Sequence, residues 1–469
     1  MLAALTGFAS AGTPITGTNL GGWMVLEPWI TPSLFYRFLD KGQGETAMDS
    51  YTVCESLGPE EGNKLMRAHW DSWYTEKDIA DLAARGVEWV RLPIGDWTLN
   101  PYGPYVGCMD GAAEKIDWMM DTCHKHGIKV LIDVHCMKDS QNGFDNGGRT
   151  WQLIWHDKTH FEHHDRAEWL CQWDDADGGH CKDNKYNDAN FKFSLDDTEA
   201  LLKRFAKHPA FGAFEPVNEP WWSTPKDKLN EFYRDARKLV QKYAPEAYFV
   251  FHDSFHFDAD RWNDLFEDTD KVILDHHEYQ AWIHGKRSVQ EFCDEYHATA
   301  STARQIKYDV WIGEWSLATD TCAHWLGGFN NGNDYSDFTC NWVDCPRTYL
   351  PDSVATDFNR TAAMHAPYGD GNQDWFQIKN GKCSSDSLRF NSDEIRQIAA
   401  CAADAWQLNV NGTFLWTAHN EIEPRWDYVK AWDMGWINKT EVPADQYIDY
   451  DEFVGLKTPA GVGPLEFVQ

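Results

Sequence analysis

The chain has 469 residues, of which 42 are Lys or Arg and 74 are Asp or Glu, leaving a net charge of −32. So acidic a surface repels phosphate backbones and anionic lipid, which excludes nucleic-acid binders and proteins that dock on membranes through basic patches. With 42% hydrophobic and 25% charged residues the composition is that of a folded chain rather than a disordered one, and no apolar run reaches the roughly 18 residues of a membrane span.

In chain order, Met1 to Ala11 is apolar and small, ends in Ala9-Ser10-Ala11 and lacks a basic start. It resembles the tail of a secretory signal, and residues 1–16 are read as an N-terminal extension. From there short β-branched or aromatic runs alternate with helix-period stretches. The runs are Gly17–Leu20, Trp89–Ile94, Lys129–His135, Ala213–Asn218, Tyr248–His252, Val272–His277, Trp311–Trp315 and Thr413–Trp416. Several are nearly continuous in apolar residues, as buried parallel strands are. Between them, Thr75 can cap a helix over Glu76–Arg85 that Gly86 ends. Lys226–Tyr243 places Leu229, Phe232, Tyr233, Ala236, Leu239, Val240 and Tyr243 on one face, and Asn391–Trp406 repeats the pattern with Ile395, Ile398, Ala399, Ala402 and Trp406.

Eight strand–helix alternations predict an α/β fold of the (β/α)₈ barrel type. The rival, a doubly wound open sheet, usually carries a glycine-rich phosphate turn after its first strand, and Gly21-Gly22-Trp23 is a poor candidate for one. Two connections are oversized, Lys138 to about Leu195 and Asp320 to about Phe390. Both follow a strand, the third and the seventh, so both rise on the C-terminal face where barrel enzymes keep their sites. The barrel is expected over 17–440, with 441–469 as a tail.

Twelve Cys are present, among them Cys171, Cys181, Cys340, Cys345 and Cys383 in loop-like stretches, and none forms a Cys-x-x-Cys pair. Disulfides in an oxidising compartment fit this pattern better than a zinc or thioredoxin-type site. Asn359-Arg-Thr, Asn411-Gly-Thr and Asn438-Lys-Thr fit the N-glycosylation sequon and point the same way, to a secreted or cell-wall-associated glycoprotein. His156, His160, His163 and His164, with Glu162 and Asp165, sit at helical spacing in the first insertion. A metal site is conceivable there, but an exposed polar face explains the run as well, and no metal or cofactor is expected.

Aromatic residues are abundant, with 25 Trp, 18 Tyr and 25 Phe. A large core and a surface that stacks on sugar rings account for them equally well. Two carboxylates narrow the choice. Glu219 closes Phe214-Glu-Pro-Val-Asn-Glu-Pro and Glu314 closes Val310-Trp-Ile-Gly-Glu-Trp-Ser, each at the end of a predicted strand. Strands four and seven face each other across a barrel mouth. A retaining glycosidase needs two carboxyl groups about 5–5.5 Å apart, one donating a proton and one attacking.

Asn218-Glu219-Pro220 and Ile312-Gly313-Glu314-Trp315 resemble the acid/base and nucleophile motifs of glycoside hydrolase family five. Gly17-Thr-Asn-Leu-Gly-Gly-Trp-Met-Val-Leu-Glu-Pro-Trp-Ile-Thr-Pro-Ser-Leu-Phe35 is similar to the amino-terminal signature of its exo-β-1,3-glucanase branch. Ser140-Gln-Asn-Gly-Phe-Asp-Asn146 and Asp275-His-His-Glu-Tyr-Gln280 resemble the same branch. The resemblance implies Glu219 as general acid/base, its pKa raised by the nearby Glu314 charge, and Glu314 as nucleophile, kept ionised by Arg91. It further implies that Asn218 binds the sugar 2-hydroxyl, and that His135, His277 and Tyr279 orient the carboxylates and touch the sugar. Glu27, Asp145 and Asn146 would bind hydroxyls of a terminal glucose, Trp416 would floor its subsite, and Phe144 and Trp282 would form an aromatic gate for the next sugar.

The implied activity is retaining, exo-acting hydrolysis of β-1,3-glucan from the non-reducing end, by a protein taken as a monomer. His135-Cys-Met-Lys-Asp139 and Ala418-His-Asn-Glu421 depart from the family's usual sequence beside the pocket. They leave open another retaining β-glycosidase of the family, acting on β-1,6-glucan or an aryl or lipid glucoside, or transglycosylating. A non-catalytic glucan-binding barrel is the reading from a different class.

Overall fold

Eight parallel strands close into a barrel: β1 (Ile15–Asn19), β2 (Trp89–Gly95), β3 (Lys129–Cys136), β4 (Phe211–Glu215), β5 (Tyr248–His252), β6 (Val272–Glu278), β7 (Asp309–Trp315) and β8 (Gly412–Leu415). Each pairs with its neighbours in sequence and β1 pairs with β8. The structure, a computed structural model, describes residues 14–437 apart from 40, 159, 164–165, 175–179, 283–287, 320–325, 327–336, 339–345, 357–363, 366–367 and 370–389. All eight predicted runs coincide with barrel strands; the first, fourth and seventh begin two residues early, at Ile15, Phe211 and Asp309, and the fourth ends at Glu215, before the predicted Asn218.

The outer layer holds α1 (Ser50–Ser72), α2 (Glu76–Ala84), α3 (Ala112–Lys125), α4 (Asp188–Phe205), α5 (Lys226–Tyr243), α6 (Val289–Ala303) and α7 (Ser392–Trp406). Thr75 caps α2 in a reciprocal box with Asp78, and Gly86 at φ 83° ends it. Asn391 caps α7 in the same way with Glu394. On α5, Leu229, Phe232, Tyr233, Ala236 and Val240 are buried, while Leu239 and Tyr243 are half-buried. Between β5 and β6 the helical element is the short Ala259–Trp262.

The first insertion is shorter than expected. Helix α4 begins at Asp188, capped by the Asn187 side chain, so Phe191 to Leu195 belong to the barrel layer. In the insertion, Leu153–Trp155 pairs antiparallel with His160–His163, and Tyr368–Gly369 from the second insertion pairs with the latter, so the two insertions meet. The histidine run is therefore not helical. His160 to His163 form a strand, which removes the shared helix face on which a metal site there would rest, and His164 and Asp165 lie outside the described residues.

Three disulfides are present among the described residues: Cys171–Cys181 in the first insertion, Cys54–Cys108, and Cys293–Cys401 between α6 and α7. Cys123 and Cys136 are free and buried. Cys340, Cys345, Cys383, Asn359, Asn438 and the tail lie outside the described residues, while Asn411 is exposed. No helix among the described residues is long and apolar enough to cross a membrane.

The barrel interior follows the two-residue period of a strand. Leu131, Ala213, Val250, Ile273, Trp311 and Phe414 form an apolar floor, joined by Ile15, Trp89 and Tyr248. Two residues further along the strands the inward side chains turn polar: Asn19, Arg91, Asp133, Glu215, His252 and Asp275, all fully buried. Another two residues on stand His135 and His277. The barrel is thus a plugged cylinder whose upper tier is ionic.

Candidate active site

Arg91 is the hub of that tier. Its Nη1 donates to Glu314 Oε1 at 2.7 Å and to Asn19 Oδ1 at 3.1 Å, and its Nε donates to Glu215 Oε2 at 3.0 Å. Nη2 donates to Asn218 Oδ1 at 2.7 Å and lies 3.2 Å from Asp133 Oδ2. Asp275 stands 3.8 Å from Nε. One buried cation is therefore ringed by four carboxylates. Burial disfavours its charge, but the carboxylates outweigh burial and hold the guanidinium well above its ordinary pKa.

Glu314 faces inward because β7 carries a bulge. The β6–β7 register shifts between His276 and His277, so that Gly313 is the extra residue and Glu314 pairs with His277. Gly313 and Glu314 both turn toward the barrel axis, while Trp315 packs outward on Trp406. A bulge beside a site commonly re-aims one side chain in this manner. Glu219 lies beyond the end of β4 at φ 43°, a left-handed conformation that only a surrounding network sustains in a non-glycine residue.

The two predicted carboxylates share one partner. His277 Nδ1 is 2.8 Å from Glu219 Oε1 and 3.5 Å from Glu314 Oε2, so one imidazole nitrogen holds the two carboxylates side by side. Tyr279 donates its hydroxyl to Glu314 Oε2 at 2.7 Å. Asn146 Nδ2, predicted as a sugar ligand, donates to Glu219 Oε2 at 2.9 Å. His135 donates from Nδ1 to Asp133 Oδ2 at 2.6 Å, leaving Nε2 to face Asn218 Nδ2 at 3.4 Å. Its ring nitrogens thus meet Asp133 and Asn218, and Asn218 is held in turn by Arg91.

Charge balance in the free protein departs from expectation. Burial pushes the Glu219 pKa up, but the hydrogen bond and charge of His277, with the Asn146 amide, outweigh it and hold the carboxyl below its usual range. The expected elevation by Glu314 is overridden because an imidazole lies between the two. Burial raises Glu314, and Glu219 adds to the rise, which His277 and Arg91 oppose without reversing. His277 is held well above its ordinary value: burial opposes its charge, and Glu314, Asp275 and Glu219 win.

Around this pair, Glu27 is buried, accepts Trp29 Nε1 at 2.9 Å and leaves Oε1 without a partner among the described residues. Burial and then the Asp145 charge push its pKa well up. Trp416 is buried and lies flat on His135, ring centroids 5.3 Å apart at 11°. Phe144 meets Trp221 edge-on at 5.1 Å, and Trp282 packs on Trp426 at 6.0 Å. Asn19, Asp133, Glu215, His252 and Asp275 went unnoticed in the sequence. Asp133 and Asp275 had a signal, each standing two residues before a predicted strand-end histidine and so on the same face.

The family model of cellulase (glycosyl hydrolase family 5) matches residues 55–347. The chain is 34% identical over 331 residues to a glucan 1,3-beta-glucosidase of Blumeria graminis, covering 68% of each chain. It is 31% identical over 445 residues to a probable glucan 1,3-beta-glucosidase A of Emericella nidulans, covering 91% of this chain and 90% of that one. Among solved structures, rutinosidase from Aspergillus niger shares the fold, with a TM-score of 0.61 at 16% identity over 91% of this chain and 98% of that one. With an eight-stranded barrel and the match across strands β2 to β7, the chain belongs to glycosyl hydrolase family 5.

Proposed function

We propose that the protein is a retaining, exo-acting β-1,3-glucanase that releases glucose from the non-reducing end of β-1,3-glucan. The observation that carries this reading is the shared contact of Glu219 and Glu314 with one nitrogen of His277, in a chain whose relatives are named for that activity. Glu314 attacks the anomeric carbon, with Arg91 and Tyr279 fixing its two oxygens. Glu219 gives a proton to the departing oxygen, then takes one from the water that hydrolyses the glycosyl-enzyme. Asn218, which Arg91 holds by a 2.7 Å bond, binds the sugar 2-hydroxyl in this reading.

Glu27, Asp145 and Trp416 make the pocket for the terminal glucose, and Phe144 and Trp282 border its entrance. A pocket that engages every hydroxyl of that unit leaves the chain no way onward, so cleavage is from an end. The catalytic unit is the barrel from Ile15 to about residue 440, two residues longer at its start than the expected 17–440, with 441–469 a tail, and the three disulfides fit a secreted or cell-wall protein. Anomer-resolved NMR on laminari-oligosaccharides tests the reading. β-Glucose as first product, released singly, is expected; α-glucose or internal cleavage would refute it.

A second reading, another β-glucoside as preferred substrate, draws on the departure at Cys136. This residue is buried directly behind the site and donates its thiol to Asn146 O at 3.2 Å. Parallel assays on β-1,6 oligomers and aryl glucosides separate the two.

A further inference from the structure

Glu219 must carry a proton to act as an acid, yet in the free protein its carboxyl is surrounded by donors. His277 and Asn146 occupy one oxygen each. The same His277 nitrogen faces both carboxylates, and its other nitrogen, Nε2, lies 3.4 Å from Asp275 Oδ2. Asp275 is itself fixed by the Gly313 N–H at 2.7 Å. The Asp275 charge beside Nε2, close enough for an ion pair though not in hydrogen-bond geometry, favours a proton there both in the imidazolium and in the neutral ring left when Nδ1 gives up its proton.

We propose that the acid's proton is stored on His277 Nδ1 in the free protein and passes along the 2.8 Å bond to Glu219 Oε1 when substrate is bound. This deepens the glycosidase reading above and rests on it. The transfer creates no net charge: imidazolium and carboxylate become imidazole and carboxylic acid. As Glu314 bonds to the anomeric carbon, the glycosidic C–O pair leaves on the departing oxygen, which takes the Glu219 proton. In the second half water bonds to the anomeric carbon as its bond to Glu314 breaks and the electron pair returns to the carboxylate, and the water proton passes to Glu219 Oε1 and thence to Nδ1.

The groups around His277 confine the proton to this path. His252 packs edge-on against it with ring centroids 4.3 Å apart, and its Nδ1 accepts the Ser254 N–H at 2.9 Å, so its one proton sits on Nε2. Burial, and then the His277 charge, keep His252 neutral. Arg91 and Tyr279 face Glu314, not Nδ1, and His135 is turned toward Asp133 and Asn218. His277 is thus the proton carrier for Glu219, while Asp275 and His252 are positioning residues. The raised pKa of His277 and the depressed one of Glu219 agree with this division.

Two measurements test the proposal. Ring-¹⁵N histidine NMR of the wild-type protein at pH 8, where ordinary histidines are neutral, should show His277 as an imidazolium, identified by its response to Glu219→Gln. A neutral ring there overturns the storage. Kinetically, His277→Gln should lose about 10²-fold or more in kcat/KM on laminaribiose, which needs its leaving oxygen protonated, and less than about fivefold on a dinitrophenyl glucoside, which does not. Equal losses on both substrates would reduce His277 to a structural role. Inertness of the wild type toward every β-glucoside would instead overturn the functional reading, while the NMR result would still decide where the proton rests.

Discussion

Gly313 leaves the space that the carboxylate of Asp275 fills: a Cβ at residue 313 would collide with both Asp275 oxygens, and its N–H donates to Oδ1 at 2.7 Å. The bulge that aims Glu314 inward and the aspartate that steadies His277 are therefore one piece of geometry. Gly313→Ala should destabilise the fold by about 1–3 kcal/mol through overpacking and cut kcat more than KM. Thermal melts with steady-state kinetics check this; wild-type values in both would show that the barrel centre yields to a methyl group.

Glu219→Gln and Glu314→Gln preserve shape and remove the reacting group. Each should abolish turnover of laminari-oligosaccharides while calorimetric binding of the same sugars survives. Because an activated aryl leaving group needs no acid, Glu219→Gln should keep glycosylation by a dinitrophenyl glucoside and stall at deglycosylation, giving a burst. Near-normal turnover in either variant defeats the assignment.

His276, beside the site but facing outward, makes alkaline stability testable. Burial opposes its charge, but Asp253 Oδ2 at 2.8 Å and Glu278 Oε2 at 3.2 Å raise its pKa from 6.5 to about 9. A histidine raised on folding contributes stability fully below its unfolded value and loses it as pH climbs through the folded one. The contribution, on the order of 3 kcal/mol, should fade between pH 6.5 and about 9. His276→Gln should flatten the fall in melting temperature over that window. An unchanged slope would show that the ring is neutral in the fold.

The Cys293–Cys401 bridge ties α6 to α7 across 108 residues of sequence, including the whole second insertion. Replacing both cysteines by Ala should cost about 2–4 kcal/mol, read as a lowered urea midpoint. Loss of no more than a few tenths would mean that the α6–α7 packing already holds the loop closed.

Much of this was legible in the chain because it is local. Mostly apolar runs of four to seven residues and capped amphipathic helices announce themselves, so α5 and all eight strands could be placed from periodicity and breakers alone. Glu219 and Glu314 were visible because each ends such a run. Charge balance was not legible, since it depends on which groups meet across the barrel. Nothing near Glu219 in sequence reveals that His277 sits on its oxygen, or that Glu215, four residues earlier, is bonded to Arg91. The first insertion was overextended because Phe191 to Leu195 follow a run of Asn, Asp and Lys that reads as loop, while the Asn187 cap had no distinctive partner.

The carboxylates about Arg91 and His277, which are Glu314, Glu219, Glu215, Asp133 and Asp275, outnumber those two cations. An oxocarbenium-like sugar, positive at its anomeric carbon, gains from that surplus as it forms. A protonated iminosugar of glucose shape mimics this moment of the reaction and should be captured far more tightly than glucose, so the same imbalance that speeds bond cleavage marks where a cationic inhibitor would lodge.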